Sequence, residues 1–218
     1  MTTHTLVGYT LPMQRDVALF HDAFGHPNLI ATPGPLPLDR IELRIGLINE
    51  EGVVELRQGI ENNDPVEIID ALIDTIYVTL GALTEMGADA SGMLSLEHDI
   101  HHAVPEASLL VTAKDSLAAN KVFLVMLVKA FSRQQTAYSI EILRAIALRA
   151  LLALTHAGID PQPFFDEVQR ANMSKLGADG KPVHSRGMEL DGAPEGKVLK
   201  GANYSRPDLA SVYTRLYA

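Results

Sequence analysis

Six carboxylates in two neighbouring stretches carry the chemistry this sequence offers: Glu50, Glu51 and Glu55 in the first, Glu67, Asp70 and Asp74 in the second, all among apolar residues. An isolated ionised carboxylate is strongly disfavoured in apolar surroundings, so such acids are expected to be paired or to hold a metal. With no cysteine in the chain and no Glu-x-x-His on either acid stretch, the ligands are oxygens, which selects Mg²⁺, with Mn²⁺ as a substitute, over zinc or a di-iron centre. Magnesium of this kind meets phosphates. The chain concentrates cations in its last fifth, at Lys175, Lys181, Arg186, Lys197, Lys200 and Arg206, a candidate clamp for an anion held by metal on its other side. Acids on one side and lysines on the other would bracket a pyrophosphate, with a metal-activated water as nucleophile.

The elements that must position these residues are helices. The periodicity predicts one helix over 38–59, on which Arg44, Glu51 and Glu55 fall on one stripe at about 100° per residue, flanked by Leu47, Ile48 and Val54. The competing reading is a solvated acid face paired with Arg44; the apolar flanks argue against it. Asp64 followed by Pro65 marks the start of the next helix, which runs to about Met86 and is closed by Gly87. On it Glu67, Asp70 and Asp74 share a narrow arc on an otherwise apolar surface. Glu67 also stands three residues after Asp64, the capping-box relation, which would engage its carboxylate on a backbone amide. Asp70 and Asp74 have no such role, since Asp is a poor helix former in mid-helix.

Around this pair the pattern predicts a helix over 14–24, an irregular arm over 27–37 with four prolines, two core helices over 116–132 and 139–157, and a short helix over 163–174 before a flexible tail. His21 reads as a packed core histidine. His98 and His102 have the i, i+4 spacing of a metal pair, a weak signal read more readily as surface or packing. A net charge of −9 over 218 residues argues against a nucleic-acid or membrane-surface binder. The absence of cysteine excludes disulfides and thiol nucleophiles, and the first residues lack a secretory pattern, which together suggest a cytoplasmic protein.

The pattern Arg44-x-x-Leu47-Ile48-x-Glu50-Glu51 with Glu55-Leu56, followed by Glu67-x-x-Asp70-Ala71-Leu72-x-Asp74-x-x-Tyr77-Val78, resembles the all-α NTP pyrophosphatase superfamily, MazG-like and phosphoribosyl-ATP pyrophosphohydrolase-like. The tail blocks Phe165-x-Glu167-Val168-x-Arg170-x-Asn172-Met173-Ser174-Lys175 and Gly196-Lys197-Val198-x-Lys200-Gly201-x-Asn203-Tyr204-x-x-Pro207-Asp208 look like a subgroup signature. The resemblance implies Mg²⁺-dependent hydrolysis of a nucleotide between its α and β phosphates, with Glu51, Glu55, Glu67 and Asp70 as metal ligands and Glu50 as a further ligand or the base. It places Asp74 and Tyr77 beside them and Asn172 and Lys175 on the nucleotide; Arg44, Lys197, Lys200 and Tyr204 complete the candidate substrate contacts. Glu51 and Glu55 are four apart where the usual spacing is three, and the stretch between Met86 and Gly158 is longer than in compact relatives.

The expectation is therefore a single all-α domain over 1–218, a MazG-like helical bundle with an inserted helical pair (88–158) and a basic tail (175–218). It would act as an Mg²⁺-dependent nucleotide pyrophosphohydrolase of nucleotide-pool cleaning, forming a homodimer or higher homo-oligomer, without a nucleic-acid polymer or membrane partner. The alternatives are hydrolysis of phosphoribosyl-ATP, or a non-catalytic metal-binding regulatory module.

Overall fold

The computed structural model describes residues 9–29, 32–91, 107–192 and 198–217, and they form an all-α architecture. The helices are α1 (Pro12–Phe24), α2 (Leu38–Asn49), a π-helical turn (Glu50–Glu55), α3 (Leu56–Asn62), α4 (Pro65–Glu85), α5 (Leu109–Ser132), α6 (Thr136–His156), α7 (Gln162–Met173), the single turn α8 (Met188–Asp191) and α9 (Leu209–Tyr217). Among the described residues the β structure consists of two isolated bridges, Leu176 with Pro182 and His184 with Val198.

α4 is the central rod because its sequence leaves it almost no polar face: Ile69, Leu72, Ile73, Ile76, Leu80 and Leu83 are all fully buried. α1, α2 with its π turn, α5 and α6 pack around it, and Leu127, Leu143 and Ile146 of the α5–α6 pair join the same core cluster. The pair begins earlier than the periodicity predicts, at Leu109 and Thr136, because α5 is apolar on several faces and its phase is hard to read.

Both ends of α4 are fastened. At its start the Asp64 carboxylate accepts from the amides of Val66 (2.8 Å) and Glu67 (3.2 Å), with Pro65 in the first turn. At its end the Tyr9 hydroxyl donates to the Thr84 carbonyl (3.2 Å), and the proline-rich arm crosses over it through Leu29 N–H to Thr84 O and Gly34 N–H to Met86 O. Gly87 is needed at that crossing: it sits at φ 66°, and a Cβ there would lie 2.6 Å from the Thr32 carbonyl oxygen and 2.8 Å from that of Leu29.

The tail is expected from sequence to be flexible, yet its described parts fold back on α7. Arg170 donates to the Arg206 carbonyl (2.9 Å), Asp208 N–H donates to Glu167 (2.8 Å), and α9 buries Leu209 and Val212.

Candidate active site

The single helix expected over 38–59 is broken by the π turn, and the site begins there. A π turn widens the helix and leaves residues four apart nearly in line, so the spacing of Glu51 and Glu55 suits this backbone; such turns favour functional sites. Glu51 and Glu55 meet each other and face Asp70 and Asp74 across the contact between the π turn and α4. Burial, then the charges of Asp74, Glu55 and Asp70, hold the Glu51 carboxyl well above the usual carboxylate range. Burial and the neighbouring Glu55 push Asp70 up to about 6; burial, Asp70 and Glu55 push Asp74 up to about 8.

Opposite these mutually repelling acids, among the described residues, stands a lysine. Lys175, just past the end of α7, acts on both Asp74 and Glu51, and its ammonium donates to Asn172 Oδ1 at 2.6 Å. Burial lowers the Lys175 pKa, and the nearby Lys200 lowers it further while the acids oppose both. The Lys200 ammonium lies 4.7 Å from the centre of the Tyr204 ring, which it covers. Asn172, Lys175 and Lys200 are thus brought to the acid side; Lys197, His98 and His102 lie outside the described residues.

The other candidates are placed differently. Glu50 is exposed and is not among the charges acting on Glu51, Asp70 or Asp74. Glu67 is exposed and accepts from Asn62 Nδ2 (2.8 Å); the Asp64 amide donates to the Gly59 carbonyl, so Glu67 does not close a capping box. Tyr77 is buried with its ring against Phe20 and Phe165, and its hydroxyl donates to Gln169 Oε1 (2.7 Å), which makes it a wall behind Asp74.

Arg44 requires a correction. It faces α4, as Glu51 and Glu55 do, but nearer that helix's end and not as a substrate group: it is buried, bonded through Nη2 to Glu85 (2.8 Å) and to His21 Nε2 (3.0 Å), and Arg40 holds the same carboxylate. Its guanidinium lies over Gly81, where a Cβ would come within 2.5 Å of Nη1. An Arg so engaged is not available to a substrate. Burial and Arg44 lower His21 to about 3, so that its neutral ring accepts from Arg44 while Nδ1–H donates to the Pro27 carbonyl (2.7 Å), in keeping with the packed core histidine expected from sequence.

Sequence reading missed Asn120 of α5. It is 1 % exposed, its Nδ2 donates to the Gly52 carbonyl within the π turn (3.0 Å), and its Oδ1 has no partner within the protein. The available signal was an amide on the buried α5 stripe formed by Ala113, Leu117 and Leu127.

The donor set fits a divalent cation. Glu51 Oε2 and Asp70 Oδ1 are buried without a hydrogen-bond partner, the condition a hard cation relieves. As they stand, no three or more acids or histidines among the described residues are close enough together to hold a metal ion, so binding requires the acid side chains to draw in. Residues 17–98, which contain every one of these acids, match the model of the phosphoribosyl-ATP pyrophosphohydrolase family. Over this stretch, well under half of the chain, the sequence is similar to that pyrophosphohydrolase family. The matched stretch takes in α2, the π turn, α3 and α4, while α5 to α9 lie beyond it. A crystal structure of a proposed NTP pyrophosphohydrolase from Exiguobacterium sp. 255-15 is similar over 94 % of this chain and 95 % of its own, at 25 % identity and a TM-score of 0.43. No curated protein matches the chain. No helix among the described residues is long and apolar enough to cross a membrane.

Proposed function

We propose that the protein is an Mg²⁺-dependent nucleotide pyrophosphohydrolase that cleaves a nucleoside or deoxynucleoside triphosphate between its α and β phosphates, releasing the monophosphate and pyrophosphate, in the service of nucleotide-pool cleaning. The observation that carries the reading is the convergence of Glu51, Glu55, Asp70 and Asp74, within a stretch that matches a pyrophosphohydrolase family, opposite Lys175 from beyond that stretch, which acts on Asp74 and Glu51.

Glu51, Glu55 and Asp70 would hold the cation, with Asp74 completing the negative field and Glu67 within reach only if its bond to Asn62 opens. Bound there, Mg²⁺ supplies a Lewis acid for the phosphoryl oxygens and lowers the pKa of an attacking water. Lys175 and Lys200 are placed to take phosphate charge, and Asn172, by accepting from Lys175, holds that ammonium in position. Tyr77, fixed by Gln169, closes the apolar side of the acids and limits water there. Glu51 is the residue on which we place proton transfer. Its raised pKa without a cation means that it becomes a base once bound positive charge stabilises its carboxylate. Glu50, exposed on the outer face of the π turn, is left as an outer contact for a water or cation rather than a base.

The matched family is named for phosphoribosyl-ATP, and that nucleotide is the second substrate to try. The test is pyrophosphate release from a panel of canonical, deoxy- and modified nucleoside triphosphates and phosphoribosyl-ATP with Mg²⁺, repeated with Asp70→Asn and Glu51→Gln. We expect release from at least one nucleotide, with both variants lower by 10²-fold or more. Release unaffected by both variants, or none from any nucleotide, would overturn the reading.

A further inference from the structure

Resting on that reading of the acid site, we infer that Asn120 is its positioning residue: one amide from α5 holds the π turn in the shape that brings Glu51 and Glu55 together opposite α4. The π turn is an intrinsically unfavourable piece of helix, since i→i+5 bonding opens the backbone and the neighbouring α2 and α3 would otherwise run on as regular helix. Something must hold it, and Gly52, at its centre, is the point that is held. The Gly52 carbonyl accepts from Asn120 Nδ2 at 3.0 Å, and the space where a side chain would stand is closed on two sides. A Cβ on Gly52 would lie 3.2 Å from Asn120 Nδ2 and 3.4 Å from both Thr75 Cγ2 and Thr75 Oγ1. The turn is thus gripped between α5 and α4 one residue from Glu51 on its own strand of chain and one residue from Asp74 on α4.

Asn120 makes this hydrogen bond inside the core, at 1 % exposure, with its own Oδ1 left without a protein partner. Burying an amide half satisfied is unfavourable and is kept where it does something beyond packing. Thr75 cannot substitute for it, because its hydroxyl is already donated to the Ala71 carbonyl (2.6 Å). α5 lies outside the family match, so this chain secures the acid geometry with a residue from the part of its sequence that the match does not reach.

Without the tie, Glu51 and Glu55 sample geometries in which they do not converge, and the metal must supply the missing order when it binds. The readout is therefore the metal requirement before catalysis at saturation. Mn²⁺ binding to full-length protein, measured by calorimetry without nucleotide, and the Mg²⁺ concentration for half-maximal pyrophosphate release should both rise about tenfold in Asn120→Ala. The rate at saturating Mg²⁺ should stay within about threefold. Ser116→Ala, one turn earlier on the same buried face and with no bond to the π turn, serves as the packing control and should change neither. If Asn120→Ala does not fold, Gly52→Ala tests the same grip from the other side and should show the same rise. A folded Asn120→Ala or Gly52→Ala with wild-type Mn²⁺ affinity would overturn the inference while leaving the catalytic reading standing. Wild-type protein that neither binds Mn²⁺ nor releases pyrophosphate would overturn both.

Discussion

Replacing Asp74 by Asn in metal-free protein should stabilise the fold at high pH and leave it almost unchanged at low pH. Burial, followed by the charges of Asp70 and Glu55, raises the Asp74 carboxyl from 3.8 to about 8. The folded chain then holds this proton more tightly than the unfolded chain. Its contribution to stability is fully present below about pH 4 and is lost as pH rises through about 8. A rise of this size corresponds to at most ~6 kcal/mol, at about 1.4 kcal/mol per pH unit. Much of that belongs jointly to Asp70 and Glu55, and partial exposure of the side chain screens the rest, so about 2 kcal/mol is the share removed with Asp74 alone. Asn keeps the shape and removes the charge. Urea unfolding in the presence of a chelator should give coincident stabilities for wild type and Asp74→Asn at about pH 4, and a variant more stable by about 2 kcal/mol at about pH 9. Adding Mg²⁺ at pH 9 should reverse the order, because only the wild type has the full negative field to bind it. Equal stabilities at pH 9 without metal would refute the argument that these acids repel one another in a low-dielectric site.

The same linkage predicts that the Mg²⁺-induced rise in melting temperature grows from pH 5 to pH 9, as protons leave Asp70 and Asp74; a rise independent of pH would mean that other groups bind the ion. Glu85→Gln should lower stability by about 3 kcal/mol in urea, since it leaves the Arg40 and Arg44 guanidiniums close together with no counter-charge. A loss under about 1 kcal/mol would show that the cluster is dispensable. Lys175→Ala should raise KM for the nucleotide by about tenfold, the loss of one charge-assisted phosphate contact, and should raise the Asp74 pKa further by removing its one favourable cation; an unchanged KM would place phosphate elsewhere.

The all-α fold, and the existence of an acid site on two adjacent helices, were legible because hydrophobic periodicity and charge in apolar surroundings are local signals. Asp64–Pro65 marked the start of α4 correctly because capping chemistry needs only neighbouring residues. What sequence could not show was the phase of the first acid helix. Counting a constant angle per residue from Arg44 to Glu55 assumes a regular helix, which the π turn at Glu50–Glu55 interrupts, and no local signal shows that Glu85 of α4 takes up Arg44 while Glu50 is left exposed. The π turn leaves no mark in composition because it depends on a distant partner, Asn120, in α5. Lys175 was legible as one of several tail cations, but its choice over the others depends on where α7 ends against α4, which is a matter of packing.

α4 itself shows what separates a functional charge from a structural one. It buries carboxylates at both ends of one helix, in one core, yet Glu85 is held below the usual carboxylate range and Asp74 far above it. Burial acts upward on both; the difference is the partner. Glu85 meets two guanidiniums supplied by α2, so its charge is settled within the chain and its role ends with the fold. Asp70 and Asp74 meet further acids from the π turn, and Asp74 a lysine that is itself desolvated, so their charge is not settled within the described residues and their carboxyls hold protons more tightly than usual. α2 and the π turn are consecutive in sequence, and the change from arginines to glutamates between them coincides with the break in helical geometry. One face of α4 is thereby closed electrostatically at its C-terminal end and left open toward its N-terminal end, where Glu51 Oε2 and Asp70 Oδ1 are unpartnered, and it is on that open end that the proposed metal site rests.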